Sequence, residues 1–225
     1  FWHSFSNKFS PSNTPAHKET LHSCNGQYSS PKVTQLMRIF VSGVAGFLGS
    51  HLADVFLAEG HEVIGCDNMI GGDLENVPDK IDFHQVDCNQ FEAMCRLTKG
   101  CDIVYHSAAT AYEGLSIFSP HLVTQNIVGA SVSLFSAAIE NKVKRIVYCS
   151  SMARYGKNGT PFREDLPTQP EDPYGIAKVA SEETLKLLCE VHGMDYNIAV
   201  PHNIVGPNQK YDDPFRNVMS IFINR

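Results

Sequence analysis

Tyr174 and Lys178 stand four residues apart in the stretch Tyr174-Gly175-Ile176-Ala177-Lys178. On a helix that spacing puts the phenol and the ammonium on one face, where the positive charge stabilises the deprotonated phenol and draws its pKa below the usual value of about 10. A tyrosine so tuned exchanges protons near neutral pH. A solvated helix face would show the same pair, so the weight of the motif comes from its surroundings. A second centre is the run Gly43-Val44-Ala45-Gly46-Phe47-Leu48-Gly49. Between a strand and a helix, Gly43 permits a tight turn, Gly46 lets backbone approach a pyrophosphate, and Gly49 allows the helix to pack closely on the strand. The pyrophosphate would sit at the positive end of the helix dipole, although the same glycines also suit a plain tight turn.

Asp67 adds to the second reading. It closes the next apolar run at about the distance after the glycines where a carboxylate meets adenosine ribose hydroxyls. The same charge would repel a 2′-phosphate, and with Asn68 beside it rather than an arginine, NAD is favoured over NADP. Asp87, in Val86-Asp87-Cys88, is placed to meet the adenine edge, though a turn aspartate would look the same. Ser150-Ser151 follows a later apolar run, at the sheet edge where open α/β folds place ligands, so Ser151 is a candidate partner for a reacting hydroxyl. The ten histidines form no metal-binding array, and His106 reads as structural.

The elements that must position these residues alternate between short apolar runs and amphipathic segments of helical length, the rhythm of β-α-β units around a parallel sheet. Strands are expected at Arg38–Ser42, Glu62–Asp67, Ile81–Val86, Ile103–His106, Arg145–Cys149 and Asn197–Val200, each rich in Val, Ile, Tyr or Phe as a strand buried on both faces should be. Helices are expected at Phe47–Glu59, capped by Gly60, and at Asn89–Lys99, Leu122–Glu140 and Tyr174–Val191. Residues 1–36 are rich in Ser, Thr, Asn, Pro and His, lack an apolar period, and read as disordered, neither transit peptide nor secretory signal. The folded unit is expected over 37–225, starting at Met37.

With 225 residues and 43% hydrophobic side chains, the chain suits one well-buried domain. Its net charge of −6 gives no broad basic face, so nucleic acid and anionic membrane are not expected partners. The seven cysteines (Cys24, Cys66, Cys88, Cys95, Cys101, Cys149 and Cys189) include no C-x-x-C pair and suit a reducing cytosol, so a cytoplasmic location is expected. No apolar stretch is expected to approach the roughly 20 residues of a membrane span.

Taken together, these residues resemble the extended short-chain dehydrogenase/reductases and, within them, the NAD-dependent epimerase/dehydratase family. The resemblance runs from about Met37 to Pro207. Its marks are Gly43-x-x-Gly46-Phe47-Leu48-Gly49, Asp67-Asn68, His106-Ser107-Ala108-Ala109, Asn126-x-x-Gly129, Ser150-Ser151-x-x-x-Tyr155-Gly156 and Pro173-Tyr174-Gly175-x-x-Lys178. It implies an α/β, doubly wound parallel sheet, the NAD-binding Rossmann fold, with Phe47, Leu48, Asp67, Asn68, Asp87, Cys88, Ala108, Asn126, Tyr174 and Lys178 lining the NAD site. It further implies that Ser151, Tyr174 and Lys178 are catalytic, that Ser151 and Asn203 meet a nucleotide sugar, here a UDP-sugar, and that members often pair as homodimers through the two long helices. The family's sugar 4,6-dehydratases usually carry Thr-Asp-Glu where this chain has Ser151-Met152-Ala153, so an epimerase resembling the UDP-glucose 4-epimerases, acting at carbon 4, is preferred. A reductase, dehydratase or decarboxylase on the same scaffold and a non-catalytic NAD-binding module are the rivals. The chain departs from the family at Val200-Pro201-His202, where arginine and aromatic residues are common. Members also continue beyond the point matching Arg225, into a smaller sugar-binding domain, so the C-terminal part is expected to be truncated.

Overall fold

Alternate side chains of the first strand enter opposite layers of the core: Ile39 and Val41 pack with Val44, Ala53 and Phe56, while Phe40 packs with Leu134, Phe135 and Leu185. A strand covered on both sides reads as a continuous apolar run. The computed structural model describes residues 35–210 and Phe222. In chain order the elements are β1 (Arg38–Ser42), α1 (Phe47–Ala58), β2 (Glu62–Asp67), β3 (Asp82–Gln85), α2 (Phe91–Leu97), β4 (Ile103–His106), α3 (Glu113–Phe118), α4 (Pro120–Thr124), α5 (Ala130–Glu140), β5 (Arg145–Cys149), α6 (Pro173–His192) and β6 (Asp195–Ala199). The expected disordered segment lies, but for Gln35 and Leu36, outside the described residues.

The sheet is parallel throughout, in the order β3-β2-β1-β4-β5-β6. The chain thus steps outward from β1 and then returns to start the other half at β4, leaving a switch point between β1 and β4 where a crevice opens at the carboxyl ends of the strands. Register brings those ends level. Ser42 pairs with Cys66 on one side and His106 on the other, and His106 pairs in turn with Tyr148.

β1, β2, β4 and β5 keep their expected bounds, whereas the edge strands shift. β3 is shorter than expected, and β6 begins at Asp195 and is largely exposed rather than buried on both faces. Among the described residues each of these strands has one sheet neighbour, and polar side chains of β6 such as Asp195 and Asn197 meet water. The expected helix at Leu122–Glu140 begins earlier, at Pro120, and is interrupted by a π turn at Gln125–Gly129. Contrary to expectation, the run Pro120–Glu140 is long and apolar enough to cross a membrane, with a mean hydropathy of 1.5 over its apolar window. Short pieces separated by polar residues join into one helical run, which stretch-by-stretch reading of apolarity does not reveal. The run packs against α2 and α6, and Val123, Ile127, Leu134 and Phe135 are buried in the core.

Candidate active site

The crevice begins at the glycine turn. Gly43 has φ +72°, and a Cβ there would lie 2.8 Å from the backbone Cα and N of Ala108, so the β1 turn and the strand-end loop after β4 touch through backbone alone. At Gly49 a Cβ would overlap the Gly43 carbonyl oxygen, which is how the first turn of α1 comes to lie against the turn that precedes it. Gly46 is the N-cap of α1 and provides no side-chain cap, leaving N–H groups of the first turn without a capping partner, and Gly46, Phe47, Leu48 and Gly49 line the crevice.

Asp67 closes β2 at one end of the crevice and is 8% exposed. Its Oδ2 accepts from Ala45 N at 3.1 Å and its Oδ1 from Met69 N at 2.8 Å. Burial raises its pKa, and these two backbone bonds offset only part of the rise. Asn68 Nδ2 donates to Asp87 Oδ2 at 2.7 Å, and Asp87 Oδ1 accepts from Asn89 N and Nδ2. Burial also lifts the Asp87 pKa, but the three hydrogen bonds outweigh it and hold the carboxyl below its ordinary value. Cys88 lies beside these groups, its sulfur 3.7 Å from that of Cys66.

At the other end, α6 starts with Asp172 accepting from Gly175 N at 2.7 Å and Pro173 at the first helical position, which sets Tyr174 in the first turn. Tyr174 and Lys178 are buried to 6% and 2% exposure. Lys178 Nζ donates to the Cys149 carbonyl at 2.7 Å and lies 5.9 Å from the Tyr174 ring centre and 5.0 Å from that of Tyr148. Ser151 caps the short turn Met152–Arg154, its Oγ accepting from Ala153 N at 3.2 Å. Ser150 donates to Glu182 of α6.

Between the two ends, His106 bridges Ser42 Oγ (2.7 Å, Nδ1) and Ser131 Oγ (2.9 Å, Nε2), and Ser42 Oγ accepts from Ala108 N at 3.2 Å. Burial, with the Lys178 charge adding to it, lowers the His106 pKa to about 3, so the ring is a neutral structural link, consistent with its expected role. Asn126, on the π turn, donates to Thr110 Oγ1 at 2.9 Å. Asn203 follows β6 in a left-handed conformation, φ +46°.

All fifteen residues singled out from the sequence line one cavity of about 480 Å³: Gly43, Gly46, Phe47, Leu48, Gly49, Asp67, Asn68, Asp87, Cys88, Ala108, Asn126, Ser151, Tyr174, Lys178 and Asn203. The donor set fits a dinucleotide: a carboxylate at one end, backbone N–H groups in the middle, and a phenol with an ammonium at the other end.

The family model described as "NAD dependent epimerase/dehydratase family" matches residues 39–225. The chain belongs to the NAD-dependent epimerase/dehydratase family. A UDP-glucose 4-epimerase of Mycolicibacterium smegmatis is 35% identical over 182 residues, covering 77% of this chain and 58% of the relative. A UDP-glucose 4-epimerase of Thermotoga maritima, solved with UDP-glucose, superposes with a TM-score of 0.81 at 31% identity, covering 84% of this chain and 62% of that one. A dTDP-glucose 4,6-dehydratase of Streptomyces venezuelae, solved with NAD, gives a TM-score of 0.77 at 26% identity, covering 84% and 61%. The chain therefore spans about 60% of the length of these family members, and NAD is the cofactor of the family.

Two parts of the site lay outside the sequence reading. The loop after β4 lines the cavity through Thr110, Ala111 and Tyr112 and leads into α3, which was not expected and whose first residues, Glu113 and Gly114, line the cavity too. The carboxylate of Glu113, close after His106-Ser107-Ala108-Ala109, was the available signal. Glu182 and Arg154 form a buried ion pair behind Ser150, with Nη1 3.0 Å from Oε2. Nothing local marks that pair, because the two residues lie on different elements.

Proposed function

We propose that this chain carries the NAD-binding and catalytic part of a nucleotide-sugar epimerase that oxidises its substrate transiently, at carbon 4 of the sugar, and reduces it again on the opposite face. The observation that carries this reading is that the glycine turn, Asp67 and the Tyr174/Lys178/Ser151 group open onto one cavity. Asp67 and Asn68 would hold the adenosine ribose, Asp87 and Cys88 the adenine, and the backbone from Gly43 to Gly49 the pyrophosphate. Ala108 and Asn126 would form the wall beside the nicotinamide, with Lys178 reaching its ribose. NAD, when bound, supplies the acceptor and the donor of hydride.

Tyr174 would take the proton from the sugar hydroxyl and return it, the task of a general acid and base. Ser151 would steady the same oxygen with its O–H. Lys178, buried and turned to the Cys149 carbonyl, keeps a positive charge near the Tyr174 ring. Asn203 would meet the nucleotide sugar, a UDP-sugar by analogy with the relatives. The absence of an acidic residue in Ser151-Met152-Ala153 favours epimerisation over dehydration.

The test is to supply NAD and UDP-glucose and to follow UDP-galactose by chromatography and product mass. The expected result is an isomer of unchanged mass with no net NADH. Net NADH or a product of altered mass would favour a reductase, dehydratase or decarboxylase; NAD binding without turnover would favour a non-catalytic module, and flat calorimetry with NAD would overturn the reading altogether. A homodimer through α5 and α6 belongs to the same proposal, supported by exposed Val132, Ile176, Leu187 and Val191, and light scattering tests it.

A further inference from the structure

Glu113 lines the cavity and has no part in the chemistry above. Its place is the Tyr174 end: it opens α3, which packs on α6, and it feels the charge of Asp172, two residues before Tyr174. Partial desolvation at the cavity wall and, after it, that neighbouring carboxylate raise its proton affinity, although the side chain still meets water. Among the described residues, no cation pairs with it.

The charges on the wall are sorted by end. Asp67 and Asp87 stand at the far end and are held by backbone and asparagine donors. Lys178 is the one cation among the described residues that line the cavity, and its ammonium is committed to the Cys149 carbonyl. The nearby Arg154 does not line the cavity and is paired with Glu182. A substituent on a sugar bound against Tyr174 therefore meets, besides the Lys178 ammonium, Glu113 as the wall carboxylate that no donor or cation among the described residues holds. A carboxylate accepts hydrogen bonds from hydroxyl or ammonium groups and repels another carboxylate.

We propose that Glu113 is a specificity-determining residue that admits nucleotide sugars bearing a neutral sugar and rejects those bearing a hexuronate. This rests on the nucleotide-sugar reading above and narrows its substrate class. Two unit charges about 6 Å apart at an effective dielectric of about 40 repel enough to change affinity about tenfold.

The experiment compares UDP-glucose with UDP-glucuronate on the NAD-loaded protein, by calorimetry and by turnover, in the parent, Glu113→Gln and Glu113→Asp. The parent should favour UDP-glucose; Glu113→Gln should shrink the preference about tenfold, and Glu113→Asp, which keeps the charge, should preserve it. A preference that is absent in the parent, or unmoved by Glu113→Gln, overturns the proposal while leaving the epimerase reading intact. If the parent binds neither nucleotide sugar, the functional reading falls and the proposal with it. Because Glu113 is exposed, both variants should melt with the parent, which separates a charge effect from misfolding.

Discussion

Replacing Arg154 with methionine should show what holds the Ser150-Ser151 turn against α6. Glu182 is fully buried, with Oε1 accepting a hydrogen bond from the Ser150 hydroxyl and Oε2 3.0 Å from Arg154 Nη1; the Arg154 side chain is 14% exposed. Neither Glu182 Oε2 nor Arg154 Nε completes a well-aligned hydrogen bond, so the contact is chiefly one of charge. Removing one partner of a buried pair costs about 3–5 kcal/mol, because the other charge stays behind. The imperfect alignment and the surviving Ser150 bond place Arg154→Met at the lower end, about 3 kcal/mol. For a domain of this size each kcal/mol moves Tm by about 2–4 °C, so a fall of about 6–12 °C is expected in thermal denaturation followed by circular dichroism. The double variant Arg154→Met with Glu182→Gln removes the orphaned charge and should recover at least half the loss. A single variant melting within about 2 °C of the parent, or a double variant no better than the single, would refute the reasoning.

Tyr174→Phe should lower epimerase kcat by about 10²–10⁴-fold while NAD binding by calorimetry survives; equal loss of both would deny it the role of proton carrier. Asp67→Asn should weaken NAD binding by about 10–100-fold, the worth of a hydrogen bond to a charged group, and narrow the preference for NAD over NADP; unchanged cofactor titrations would remove Asp67 from the site. For His106 the folded pKa, about 3, lies below the unfolded value of about 6.5, so its contribution to stability is complete above pH 6.5 and is lost as pH falls from there towards 3. The slope is about 1.4 kcal/mol per pH unit, and His106→Gln should flatten that part of the denaturant-midpoint profile; matching profiles for the two proteins would show that the ring is not buried and neutral.

What could be read along the chain was whatever depends on neighbours in sequence. β1, β2, β4 and β5 are apolar runs closed by polar residues or glycine, and their bounds follow from that contrast alone. The glycine turn was equally legible, because a positive φ at Gly43 and the backbone contact at Gly49 exclude other residues whatever the rest of the molecule does. So was the Tyr174/Lys178 pair, whose spacing is a property of any helix.

Tertiary structure decided what depends on residues far apart. No local signal orders the strands β3-β2-β1-β4-β5-β6, and it is this order that leaves β3 and β6 as partly exposed edges. The level register of Ser42, Cys66 and His106 brings the loop after β4 to the glycine turn, and Glu113, which follows that loop, to the wall of the same cavity. The Arg154–Glu182 pair exists because α6 folds back over the turn after β5, taking Glu182 fully and Arg154 largely out of water. Local sequence sets the conformations each segment prefers; the burial, pairing and charge environment of a side chain are set by the elements that pack around it.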